Sequence, residues 1–242
     1  SKQLGDGKLL SQLVKKKVVY DFRQNDLRNG GQGAPLAPIF HKLISQKIKI
    51  DLPICMLNLG GIANITAIES DINSTLVSRD IGPGNCLIDE WMRKKTGKKF
   101  DKDGLTAKLG KINIAILNQA LDNHESLKHK NILSYDPKDF DINFLRGLSL
   151  EDGASTVTEF TAAVLEDRIV DFLSKLSDKS RKVLVCGGGR KNLTLMETIK
   201  KKLSKKHTIE NIDSYGIDGD FIESQSFAYL AIRSFLNIPF SF

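Results

Sequence analysis

The segment LNLGGIANIT, residues 57–66, decides the fold of this chain. Strand-like apolar runs lie on both sides of Gly60 and Gly61, and runs joined by so short a turn predict an antiparallel β-hairpin. The two glycines let a ligand approach the backbone closely, and their N–H groups can form an anion-binding concavity. The turn therefore fits either a phosphate-binding loop or an ordinary Gly-Gly hairpin.

The segments around the hairpin extend it into a sheet. Residues 54–59, 62–68 and 75–81 have strand-like patterns, and their short connections predict antiparallel pairing. Helical spacing begins at residues 85–95 and dominates to about residue 176. A buried strand at residues 183–186 and a helix from Leu193 follow. This order predicts an α/β fold with a mixed sheet flanked by helices.

The first fifty residues are predicted to form a separate part. Residues 18–22, VVYDF, favour a short strand, and the Gly, Asn and Pro residues of the stretch 21–36 favour a long loop after it. Residues 38–46 have the apolar spacing of a helix, and Pro53 then breaks the chain. We therefore place a domain boundary near Pro53.

The composition indicates a globular protein. Of the 242 residues 40% are hydrophobic, and no apolar run reaches the roughly 18 residues that a membrane span requires. The opening residues, SKQLGDGKLL, lack the regions of a signal peptide, so a cytoplasmic location without a membrane partner is predicted. Three scattered cysteines and four histidines predict neither a disulfide framework nor a metal site.

The net charge of +7 has two interpretations. The lysines occur in short runs such as residues 15–17 and 200–202, which is typical of solvated helix faces. The interleaved aromatic residues expected of a nucleic-acid groove are absent from the sequence. We therefore predict no nucleic-acid partner, whereas a basic cleft would suit an anionic nucleotide.

A second glycine-rich segment is VLVCGGGRKN, residues 183–192. It follows a buried strand and opens a helix, so Gly187, Gly188 and Gly189 can admit a nucleotide at the sheet edge. The same glycines could instead serve close packing of a helix on a strand. The segment matches neither the Rossmann nor the Walker pattern.

A third segment is DIGPGN, residues 80–85, where Asn85 is placed as the N-cap of the next helix. Its glycines fit a ligand contact and a plain capped loop equally well.

Asp26 lies in the predicted long loop, close to Asp21 and Arg23. A loop carboxylate can orient or deprotonate a nucleophile in phosphoryl transfer, and it can equally form an Asx turn or a cap.

Taken together, these segments resemble motifs of the anhydro-N-acetylmuramic acid kinase family. The resemblance spans nearly the whole chain, in order and in spacing. The matching motifs are QLGDG at 3–7, DFRQND at 21–26, GGQGAPL at 30–36, LNLGGIANIT, DIGPGN, GKKFDKDG at 97–104, TVTEFTA at 156–162, CGGGRKN at 186–192 and ESQSFAYLAIR at 223–233.

The resemblance implies a ribonuclease-H-like, actin-type ATPase fold with one complete domain and part of a second. Residues 1–52 would be the C-terminal part of domain I with the catalytic loop, residues 53–220 the nucleotide-binding domain II, and residues 221–242 a helix returning to domain I. It also implies an ATP- and Mg²⁺-dependent sugar kinase of peptidoglycan recycling. Such an enzyme converts 1,6-anhydro-N-acetylmuramic acid, ATP and water to N-acetylmuramate 6-phosphate and ADP.

By the same resemblance, Asp26 matches the catalytic aspartate that activates water, and Asp21, Arg23 and Glu223 are candidates for sugar contact. The implied nucleotide-binding residues are the glycines of the three segments and one asparagine, namely Gly60, Gly61, Gly82, Gly84, Gly187, Gly188, Gly189 and Asn192. No protein metal ligand is assigned, and a homodimer is left open.

The chain also departs from the family pattern. It has no counterpart of the family's first phosphate loop, and Ile81 replaces the usual threonine of DIGPGN. We therefore expect a partial sequence that is a poor catalyst alone. The alternative is a non-catalytic nucleotide-binding module in the manner of actin or Hsp70.

Overall fold

A five-stranded mixed sheet forms the centre of the fold. The computed structural model describes residues 5–31, 33–72, 76–127, 135–176, 181–203 and 207–240. The strands are β1 (Ile54–Leu59), β2 (Ile62–Ile68), β3 (Val77–Pro83), β4 (Arg181–Cys186) and β5 (His207–Asn211), in the order β3-β2-β1-β4-β5. The pairs β1–β2 and β2–β3 are antiparallel, whereas β1–β4 and β4–β5 are parallel.

The central strand β1 is apolar because both of its faces are covered. Cys55, Leu57 and Leu59 point to one side of the sheet, while Ile54 and Met56 point to the other, as the two-residue period of a strand requires. The face that carries Cys55, Leu57 and Leu59 is covered by five helices. They are α4 (Cys86–Thr96), α5 (Leu105–Leu109), α6 (Ile114–Leu127), α7 (Leu150–Ser174) and α8 (Leu193–Leu203).

The opposite face of the sheet packs against helices from both ends of the chain. These are α3 (Pro38–Lys47) and α9 (Ile222–Phe235), which also contact each other through the rings of Phe40 and Tyr229. Two shorter helices, α1 (Gly7–Val14) and α2 (Phe22–Arg28), precede them. Across the described ranges, every helix is too short or too polar to span a lipid bilayer.

The structure confirms the predicted hairpin and the mixed α/β sheet. The three-strand meander followed by two parallel strands is the ribonuclease-H-like arrangement. The third strand begins at Val77, and the predicted start at Thr75 lies outside the described residues. Strand β5 was not predicted, because its sequence HTIEN has little apolar character.

The predicted strand at residues 18–22 is wrong. Residues 18–21 form no regular element, and helix α2 begins at Phe22, so Asp26 lies on a helix and not in a long loop. A strand needs a partner for its ladder of hydrogen bonds, and none of the five described strands pairs with this segment. Local propensity alone therefore did not determine its structure.

Candidate functional site

The tip of the β1–β2 hairpin is bonded to the start of α4. Gly60 O accepts a hydrogen bond from Asn85 N at 2.8 Å, and Gly61 O accepts one from Gly84 N at 2.9 Å. Asn85 precedes α4 but its side chain makes no cap, and its Nδ2 instead donates to Leu59 O at 3.4 Å. The hairpin and the DIGPGN turn are thus one connected unit.

Packing within the protein already requires two of the predicted ligand glycines. A Cβ atom on Gly84 would lie 2.1 Å from Gly60 O, which is closer than any side chain can come. Gly82 has φ +138° and packs against Val164 Cγ1. By contrast, a Cβ on Gly61 would meet nothing within 4 Å, so that glycine leaves open space at the hairpin tip.

The triple glycine follows β4 and lies against β1. Gly187 has φ +81°, and a Cβ there would collide with Asn58 Oδ1, while a Cβ on Gly189 would lie 2.6 Å from Leu59 Cβ. The nearest atom to a Cβ on Gly188 is 3.9 Å away. Gly188 therefore faces open space, and the other two glycines serve close packing.

This open space is a cavity of about 420 Å³ at the carboxyl end of β4. It is lined by residues at the start of α4, in the segment before α5, in the triple-glycine turn and in the segment before α9. They are Asn85, Asp89, Phe100, Asp101, Lys102, Asp103, Gly188, Lys191, Asn192 and Asp220. Burial raises the pKa of Asp89 to about 6, and the nearby Arg93 opposes that rise.

Asn192 lies in this wall, but its side chain has a structural role. Its Oδ1 accepts a hydrogen bond from Leu195 N at 3.0 Å, which satisfies a free amide at the start of α8. The turn is further held by the buried guanidinium of Arg190, which pairs with Asp213 and Asp220. Hydrogen bonds and ion pairs within the protein therefore fix the position of this part of the wall.

A second cavity, of about 580 Å³, lies between the sheet and helices α3 and α9. Its polar lining comes from segments far apart in sequence. These polar residues are Arg23, His41, Asn58, Asn64, Asp80, Tyr135, Asp136, Asp139, Glu223 and Ser226. Arg23 and Glu223, both predicted from the sequence, are brought together here.

Asp26 lies at the margin of the second cavity. Its Oδ2 accepts a hydrogen bond from Gly33 N at 2.7 Å, and Gly33 lines the cavity. A Cβ on Gly31 would lie 2.2 Å from the same oxygen, so glycine is needed for this close approach. The GGQGAPL segment therefore folds around the carboxylate of Asp26.

Asp21 is not brought into the second cavity. It is exposed and lines a different cavity of about 700 Å³, next to α1 and Tyr20. Gly60 and Gly61 line neither the 420 Å³ cavity nor the second cavity. Their hairpin connects these two cavities, because its strands carry Asn58 and Asn64 of the second cavity and its tip bonds to Asn85 of the other.

Sequence reasoning missed several polar residues of the second cavity. Asn58 and Asn64 face each other across β1 and β2, each three residues from Gly61. Two polar residues at matched positions in apolar strands were a readable signal. His41 gave no such signal, because its helix α3 mixes polar and apolar residues. Its pKa is lowered to about 4 by burial, so its ring is neutral at pH 7.

The described ranges contain no group of three or more His, Cys, Asp or Glu side chains placed to hold a metal ion. The fold and its cavities define a ribonuclease-H-like α/β protein with a glycine-rich turn after its central parallel strands. A sequence model of the anhydro-N-acetylmuramic acid kinase family matches residues 1–242. The chain belongs to this family, as the sequence motifs predicted.

Relatives that carry the name anhydro-N-acetylmuramic acid kinase match along the whole chain. The protein of Pelagibacter ubique (strain HTCC1062) is 55% identical over 242 residues, which is 100% of this chain and 64% of the relative. That of Zymomonas mobilis (strain ATCC 31821 / ZM4 / CP4) is 40% identical, covering 99% of this chain and 63% of the relative. The chain thus spans less than two thirds of the length of these relatives.

Among solved structures, one match is the activator of the 2-hydroxyisocaproyl-CoA dehydratase from Clostridium difficile with bound ADPNP. It is 13% identical with a TM-score of 0.46, and the match covers 82% of this chain and 68% of that chain.

Proposed function

We propose that this chain forms the nucleotide site and part of the sugar site of an ATP-dependent kinase. The reaction converts 1,6-anhydro-N-acetylmuramic acid, ATP and water to N-acetylmuramate 6-phosphate and ADP. Membership of the family over residues 1–242 is the observation that carries this proposal. The two cavities joined by the hairpin give it a physical basis, since phosphoryl transfer needs both substrates at one place.

The smaller cavity suits the nucleotide. Gly188 leaves space for a ligand to lie against the backbone at the carboxyl end of β4. Because the described residues form no ready cluster of metal ligands, Mg²⁺ would be held largely by the phosphates of ATP, which is its usual mode. When bound, the ion would neutralise charge on the transferred phosphoryl group.

The second cavity suits the sugar, and Asp26 is the proposed base. Its Oδ2 is oriented by Gly33 N–H, while Oδ1 makes no hydrogen bond within the described residues and can accept a proton from water. The water oxygen would bond to C1 as the C1–O6 bond breaks. O6 would then take the γ-phosphoryl group, and ADP would leave.

The Asp26→Asn substitution in the complete gene product tests this role. Asparagine keeps the hydrogen bond from Gly33 but cannot accept a proton, so turnover should fall roughly 10²- to 10⁴-fold. Asp21→Asn is the matched control, because Asp21 lies outside the second cavity and Asn also tolerates its φ of 65°. Near-normal turnover of the Asp26 variant would remove Asp26 from the reaction.

The same assay separates the kinase from the nucleotide-binding module. A kinase consumes ATP only when the anhydro sugar is present and yields a phosphorylated sugar. Binding of ATP without sugar-dependent turnover in the complete gene product would favour the non-catalytic module.

The proposal also includes a cytoplasmic location, where ATP is available, and a homodimer. Light scattering of the purified protein would test the dimer.

A further inference from the structure

A chain of hydrogen bonds runs from the second cavity into the sheet. His41, 1% exposed, places Nδ1 at 2.9 Å from Thr66 Oγ1. Thr66 Oγ1 lies 3.0 Å from Ser78 Oγ, and Ser78 Oγ donates to Ile65 O at 3.0 Å. Thr66 and Ser78 are direct partners across β2 and β3.

The end of this chain determines the direction of every bond in it. A backbone carbonyl only accepts, so the single hydroxyl proton of Ser78 goes to Ile65 O. Ser78 Oγ must then accept from the Thr66 hydroxyl, and Thr66 Oγ1 must accept from His41 Nδ1–H. The neutral ring therefore carries its proton on Nδ1 and has a lone pair on Nε2.

We propose that Nε2 of His41 accepts a hydrogen bond from a donor group of the sugar, either a hydroxyl or the acetamido N–H. His41 lines the second cavity, and within the described residues the bond to Thr66 is the one hydrogen bond that its ring makes. His41 is thus a positioning residue for the substrate. This inference rests on the proposed function, which supplies the sugar.

The chemistry of the cavity makes this role selective. A neutral imidazole acceptor binds O–H and N–H groups, but it cannot bind a carboxylate, which has no proton to donate. The anionic part of the sugar would instead favour the cationic Arg23 in the same cavity. A ligand without a donor at the His41 position would leave a buried acceptor unpaired, which costs affinity.

The tautomer of His41 can be tested by a measurement that does not depend on enzyme activity. Imidazole ¹⁵N NMR distinguishes a protonated from an unprotonated ring nitrogen, and His41→Gln assigns the signal among the four histidines of the chain. We expect the Nδ1–H form in the unmodified protein and a shift toward the other tautomer in Thr66→Val. An Nε2–H tautomer in the unmodified protein would overturn the proposal.

Kinetics on the complete gene product tests the contact itself. The amide of Asn overlaps Nδ1 of histidine, and the amide of Gln overlaps Nε2. We expect His41→Asn to raise KM for the sugar roughly 3- to 10-fold with kcat nearly unchanged, as befits one neutral hydrogen bond. We expect His41→Gln to restore most of the lost affinity, which a purely structural role would not explain.

An analogue with an acetoxy group in place of the acetamido group identifies the donor. If the N–H binds His41, the analogue and His41→Asn together will cost no more than either alone, whereas additive losses indicate a hydroxyl. Unchanged KM in His41→Asn, with an active parent enzyme, would overturn the His41 contact alone. A parent enzyme that does not phosphorylate the sugar would overturn the proposed function and this contact with it.

Discussion

At the scale of single residues, glycines of one motif have different physical reasons to be glycine. Gly188 is open to solvent, and a Cβ atom added there would have no protein atom nearer than 3.9 Å, whereas Gly187 and Gly189 press on β1. We expect Gly188→Ala to leave the midpoint of thermal unfolding unchanged and to weaken ATP binding about tenfold, because the methyl group would occupy ligand space. Calorimetric titration with ATP measures this.

Gly187→Ala is the matched control for that substitution. Its φ of +81° with an extended ψ is a backbone conformation that is essentially restricted to glycine, so we expect strain to cost about 1–3 kcal/mol of stability. The collision of the methyl group with Asn58 Oδ1 adds to this loss. Urea unfolding measures the loss. If Gly188→Ala binds ATP as tightly as the parent, Gly188 makes no close contact with the nucleotide.

At the scale of elements, Arg190 joins the triple-glycine turn to the segment before α9. Its side chain is 4% exposed, and its Nε and Nη2 bond to Asp213 at 2.5 and 2.8 Å, while Nη1 bonds to Asp220 at 2.6 Å. Lysine cannot reproduce this fork, so we expect Arg190→Lys to cost about 2 kcal/mol in urea unfolding. The exposed Lys191 also pairs with Asp220, and Lys191→Met should cost less than about 1 kcal/mol.

The same cluster predicts how stability changes in acid. Hydrogen bonds from Arg190 lower the pKa of Asp213, and those from Lys191 and then Arg190 lower the pKa of Asp220. A lowered folded pKa adds stability above the unfolded value of about 3.9, and that stability is lost as pH falls through the folded value. Unfolding measured below about pH 4 should therefore depend less on pH in Arg190→Gln. An unchanged slope would show that the cluster does not control acid stability.

At the scale of the whole molecule, the raised pKa of Asp89 predicts that stability changes with pH in the direction opposite to that expected from Asp213 and Asp220. Burial raises its pKa to about 6, so the folded state keeps a proton that the unfolded state releases near pH 3.9. Stability from this group therefore falls as pH rises from about 4 to 6. We expect Asp89→Asn to stabilise the protein at pH 7 by about 1 kcal/mol, after allowance for solvent screening. Equal urea midpoints at pH 7 would contradict this.

The sequence by itself determined the central hairpin, the mixed sheet and the helices that follow it. Those elements depend on local periods of two and 3.6 residues and on the Gly60–Gly61 turn, which can be seen within a few residues. The motif series also identified the family, whereas the long loop predicted to contain Asp26 is helix α2 at that position. Local propensity failed at residues 18–22, where none of the described strands pairs with a β-prone sequence.

Only the tertiary structure decided which polar residues share a cavity. His41, Asn64, Asp80 and Glu223 come from two helices and two strands that are distant in sequence, and strand order in the sheet brings them together. The tautomer of His41 likewise depends on a hydroxyl pair that exists only because β2 and β3 are in register. Such contacts are set by topology and not by local sequence, because they form between segments whose patterns carry no information about each other.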